Sequence, residues 1–126
     1  LCTKVCQLLD GYTGLYCVES FDPRCVYWFR KNRPDLRRGQ LTENFFASAN
    51  SPLPPAIKLM MKALMFNFMT QPDFVAYKYC DRKNIGNFLC RKLWGAQGVS
   101  WTLTTMEEYD TAVNEGYIPI FEGFNP

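Results

Sequence analysis

Apolar runs of strand length alternate five times with segments that start and stop like helices, and this rhythm constrains the fold most. The runs are Leu15 to Phe21, Gly39 to Leu41, Phe74 to Tyr79, Val99 to Leu103 and Ile118 to Phe121. Helix boundaries between them are chemical. Asp22-Pro23 offers an N-cap and a proline at the first helical position, where the missing N–H has no partner anyway. That helix runs to about Asn32, carries Val26, Phe29 and Arg30 in register, and stops before Pro34. Asn84 to Trp94 puts Ile85, Phe88, Leu89 and Leu93 on one face, which predicts an apolar stripe toward the core, and Gly95 stops it. Thr105 and Glu108 form a capping box for a helix that ends at Gly116. Strand and helix in alternation imply βαβ units, a parallel sheet and an α/β fold. The near-continuous apolar runs suit strands covered on both faces. No glycine-rich phosphate loop follows any strand, which removes the positive signal for a nucleotide-binding doubly wound sheet.

A length of 126 residues is that of one domain, 1–126. Apolar residues at 48% and charged residues at 21% argue against disorder. A net charge of +2 gives no electrostatic footprint for nucleic acid. The basic cluster Arg30, Lys31, Arg33, Arg37 and Arg38 straddles Pro34 and reads as a solvated helix end. Six cysteines without a CxxC, in a chain with no histidine, predict neither a disulfide framework nor a zinc site. They read as small hydrophobes in a reducing, cytoplasmic setting. No run of about 18 apolar residues is present to span a bilayer. Leu1 to Leu9 reads as the end of a helix already under way, which predicts a processed chain or a fragment. Ser51 to Pro55 reads as a loop. Ile57 to Met69 reads as a very apolar helix, suited to burial, to partner contact or, with Lys58 and Lys62 on one side, to a membrane interface.

Chemistry is expected at the strand ends. Glu19, Lys78 and Glu122 close or follow three of the runs, and parallel strands bring such ends to one rim, where α/β proteins bind ligands. Two carboxylates and an ammonium there could hold a cation and a phosphate, or pair with one another. Trp101, with Thr102, ends the Val99 run and could stack on a ligand or pack as core.

Several of these segments carry a family resemblance. Val18-Glu-Ser-Phe-Asp-Pro23, a helix ending in Arg33-Pro-Asp35, and Arg38-Gly-Gln-Leu41 resemble the middle of bacterial glycerophosphodiester phosphodiesterases. Val99-Ser-Trp-Thr102 resembles the late Val-x-x-Trp-Thr strand of that family, and Glu115 to Ile120 its Gly-Val-Asp-x-Ile ending. Order and spacing agree along nearly the whole chain. The resemblance implies a partial TIM (β/α)8 barrel, about its last five βα units. It implies a parent enzyme that hydrolyses glycerophosphodiesters to glycerol 3-phosphate and an alcohol. A divalent cation, Ca²⁺ or Mg²⁺, would bind the phosphate and a pair of histidines would act as acid and base. The family's His-Arg-Gly strand, Glu-x-Asp pair, second histidine and later metal-binding Glu lie upstream of the Ser-Phe strand and have no counterpart in these residues. The resemblance therefore gives the chain no catalytic residue and no identifiable metal ligand. Ser20 and Phe21 match the Ser-Phe strand end near the active-site rim, and Trp101 matches the tryptophan that lines the substrate pocket. Glu19 stands where many members are neutral, Lys78 shares the rim, and Glu122-Gly123 replace the usual Thr-Asp. A naturally non-catalytic half-barrel, binding a phosphorylated ligand or a partner chain, is the alternative reading.

Overall fold

The computed structural model describes residues 1–42, 54, 66–83 and 85–126. Helix α1 (Cys2–Leu9) precedes β1 (Val18–Ser20), α2 (Pro23–Asn32) and β2 (Arg38–Thr42). Further on lie the one-turn helix α3 (Asn67–Thr70), β3 (Phe74–Lys78), a 3-10 turn (Tyr79–Asp81) and α4 (Ile85–Leu93). The chain ends with β4 (Gln97–Leu103), α5 (Met106–Asn114) and β5 (Ile118–Phe121).

The five strands of the described residues form one sheet, all parallel, in the order β1-β2-β3-β4-β5. A doubly wound sheet reverses its strand order at some point; this one never does. Right-handed crossovers in a single direction lay the connecting helices on one face. Each does pack on the strands it joins: α2 on β1 and β2, α4 on β3 and β4, α5 on β4 and β5.

Register sorts the side chains between the two faces, because residues paired across parallel strands point the same way. Ser20, Gln40 and Val75 share the helix-covered face, as do Thr42, Tyr77 and Ser100. Val75 and Tyr77 pack there with Cys90 of α4 and with Ala96. The register shifts between Ser100 and Leu103, and Leu103 joins this side against Ala112 and Tyr117. Glu19, Gly39 and Phe74 share the opposite face, helix-free among the described residues, followed by Leu41, Ala76, Val99 and Ile118, and then by Lys78 and Trp101. Gly39 gives the Phe74 ring its place there: a Cβ would fall 2.1 Å from the ring and displace it. Asp73 fixes the start of the ladder. Its carboxylate accepts the Arg38 N–H at 2.9 Å and pairs with Arg37 at 3.0 Å, while its own N–H donates to the Arg38 carbonyl.

Two expectations change. The first run forms only three residues of strand, because β2 begins opposite Val18; Leu15 lies fully exposed outside the ladder. The apolar stripe of α4 faces outward: Phe88, Leu89 and Leu93 are exposed, while Gly86, Asn87 and Cys90 are buried. Small side chains let this helix approach the sheet, and the Asn87 amide donates to the Arg82 carbonyl (2.7 Å) and the Tyr117 hydroxyl (2.8 Å). The side chain of Ile85 lies outside the described residues. So does most of the predicted helix Ile57 to Met69, and the loop from Ser51 apart from Pro54; of that helix, Phe66 to Met69 are described, with Asn67 buried and Phe68 and Met69 exposed. No helix among the described residues is long and apolar enough to cross a membrane.

Among the described residues β1 and β5 are the sheet's two edges, and an edge strand with unpaired backbone groups is a template for further pairing. The isolated 126-residue chain is expected to self-associate. Sedimentation over a concentration series checks this, and a sharp, concentration-independent monomeric melt would refute it.

Candidate functional site

The helix-free face near the C-terminal ends of β1, β3 and β4 gathers four of the six predicted rim residues: Glu19, Phe21, Lys78 and Trp101. Trp101 lies across β3, its indole N–H donating to the Ala76 carbonyl at 3.0 Å. The small Ala76 side chain, on the same face, leaves room for the ring. Phe21 follows β1 and meets Trp101 edge-on, with ring centroids 5.9 Å apart and planes at 79°. Three strand spacings, roughly 14 Å of sheet, separate β1 from β4. Rings that touch across that span line a concave surface. Lys78 is the ladder neighbour of Trp101 and is exposed at the end of β3.

Glu19 sits on the same face, one strand from Gly39. Desolvation pushes its carboxyl above the usual range, and burial together with the nearby Glu19 charge pushes the Cys17 thiol up as well. A carboxyl whose folded-state pKa is raised favours folding while it is protonated, and that contribution is lost as pH rises through the raised value. Glu19→Gln is therefore expected to match the parent's melting temperature in acid and to exceed it at neutral pH. The gap should open as Glu19 ionises, in thermal melts across that range.

The other rim candidates are placed differently. Ser20 belongs to the helix-covered face, and its hydroxyl accepts the Asp22 N–H at 3.0 Å. It shapes the turn into α2, where Asp22 caps through the Arg24 N–H at 2.9 Å. Glu122 is the first residue past β5, exposed, with its N–H on the Leu103 carbonyl at 2.9 Å. Glu19 and Glu122 are on opposite edge strands, roughly 19 Å apart along the sheet. Among the described residues no group of three or more His, Cys, Asp or Glu converges. These residues do not fit a Ca²⁺ or Mg²⁺ site by themselves.

One positioning residue lay outside the sequence reading. Gln40 is 4% exposed, and its amide N–H₂ faces the carbonyls of Ser20, Phe21 and Leu41 at 3.0 to 3.1 Å. It thereby holds the backbone that carries Phe21. A polar residue in the middle of a short strand was the available signal.

Comparison of the chain with protein-family models and with curated proteins yields no match.

Proposed function

We propose that the chain forms the C-terminal part of a phosphodiesterase barrel of the glycerophosphodiester phosphodiesterase type, about the last five units of a (β/α)8 closure. The observation that carries this reading is the unreversed order of five parallel strands, whose helix-free face brings Phe21, Trp101 and Lys78 together. In this reading Trp101 and Phe21 form the wall against which the glycerol carbons lie. The Lys78 ammonium supplies positive charge toward the phosphodiester, and Glu19 accepts hydrogen bonds from the glycerol hydroxyls. Ser20 serves the turn into α2, and Glu122 borders the far edge. In the intact enzyme of this type a divalent cation would offset the negative charge developing on phosphorus. Its ligands, and the histidines for proton transfer, come from outside these 126 residues, which contain no histidine. The reading places the protein in the cytoplasm, with Ile57 to Met69 suited to burial or partner contact and, as the alternative, to a membrane interface.

The test is glycerol 3-phosphate release from glycerophosphocholine and glycerophosphoglycerol by the native protein that carries this chain. Release that needs Ca²⁺ or Mg²⁺ and stops with a chelator is expected; no release from either diester would overturn the reading. The absence of histidine favours one second reading, a non-catalytic half-barrel that binds a phosphorylated ligand or a partner chain. It predicts glycerol 3-phosphate binding without turnover, lost in Trp101→Ala.

A further inference from the structure

A second concavity lies at the other end of the sheet. It is a cleft of about 640 Å³ between α4 and the turn from α5 into β5, bordered by Gln97 and Gly98 at the start of β4. Gln97 is four residues before Trp101 on the same strand, roughly 13 Å away. The cleft is therefore separate from the rim just described.

Its walls carry four cations and one carboxylate: Arg82, Lys83, Arg91 and Lys92 against Glu115. Arg82 and Glu115 satisfy each other in a two-point pair at 2.7 and 3.2 Å, with the Arg82 guanidinium stacked on Tyr79. Three positive charges remain around one concave surface. Arg91 is held in place: its guanidinium lies 4.2 Å from the Tyr117 ring centroid, and Nη2 donates to the carbonyls of Glu115 and Gly116 at 3.1 and 3.2 Å. Gly98 makes the room for this arrangement. A Cβ there would come within 2.8 Å of the Tyr117 ring and 3.0 Å of Arg91 Nε. Arg91 has further N–H donors on Nη1, and neither Lys83 nor Lys92 closes an ion pair among the described residues. Like charges crowded into a cleft repel until an anion enters, and a fixed guanidinium fork matches phosphate oxygens.

We propose that this cleft binds a phosphate-bearing anion, with Arg91 as the oriented donor and Lys83 and Lys92 supplying charge. Phe88, 56% exposed on the cleft wall, gives an apolar surface for the rest of the ligand. The proposal does not depend on the phosphodiesterase reading. The phosphate could belong to a soluble ester or to a lipid headgroup; Leu93 and Trp94, exposed at the end of the same helix, would meet the bilayer in the second case.

Two binding measurements on the native protein separate these sources: calorimetric titration with pyrophosphate, and co-sedimentation with phosphatidylcholine vesicles with and without phosphatidic acid. Each is repeated with the Lys83→Ala/Lys92→Ala double variant, which removes only exposed side chains, and with Lys78→Ala as a control on the rim. Pyrophosphate binding weakened about tenfold by the double variant supports the proposal with a soluble ligand. Binding to the acidic vesicles alone, lost in the double variant, supports it with a lipid headgroup. Binding of neither probe overturns it, as does binding that Lys78→Ala abolishes and the double variant leaves intact.

Discussion

Leu103→Ala is expected to lower the stability of the native protein by about 3 kcal/mol, the scale of a leucine truncated in a core that cannot collapse around the gap. Leu103 is wholly buried where β4, α5 and β5 converge, packed with Ala112 and Tyr117 and flanked by Tyr79 and Tyr109. None of these can easily fill the space. Ala112 is small, the Tyr117 hydroxyl is tied to Asn87, and Tyr109 is engaged with the Phe121 and Phe124 rings. Leu103→Met, which keeps the volume, should cost less than about 1.5 kcal/mol. The shift in urea midpoint at constant slope measures both. Near-equal losses in the two variants would show that shape, and not the cavity, governs the site.

The second large effect concerns the rim and rests on the proposed hydrolysis. Trp101→Ala should reduce kcat/KM for glycerophosphocholine about 100-fold, because the wall that orients the substrate disappears and misplacement of the reacting groups follows. Trp101→Phe keeps a ring against Phe21 but loses the N–H that anchors Trp101 to Ala76, and an intermediate loss is expected. Steady-state kinetics on the native protein would show this order. Equal kinetics for all three forms would move the substrate away from this face.

Local chemistry made the helix starts legible in advance. Asp22 and Pro23 begin α2 as their side chains require, and Thr105 caps α5 by accepting the Glu108 N–H at 3.3 Å. The return half of that capping box closes on the Thr104 N–H at 2.9 Å, a shift of one residue that only the fold could decide. The orientation of α4 was not legible. Periodicity finds a stripe but does not say which side of the helix faces the sheet, and here close approach and the Asn87 hydrogen bonds decided it. At the rim, residue types were readable and faces were not. Ser20 and Phe21 are adjacent, so the pleat sends them to opposite sides, and only the register with Gln40 shows which. The cleft around Arg91 escaped because its cations, all between Arg82 and Lys92, gain a facing wall only when Glu115 to Tyr117 fold against α4.

The unreversed strand order also bears on how the molecule is made. In a sheet whose order reverses, an early strand waits with a bare side for one synthesised much later. Here each new strand docks on the one before it, as β3 does on β2 and β4 on β3. As the chain leaves the ribosome the sheet can grow from its first strand outward, one βα unit at a time, and the growing edge always belongs to the segment made last. A pause in translation would therefore leave a shorter sheet of native pairings, with no wrong neighbour to be displaced before synthesis resumes.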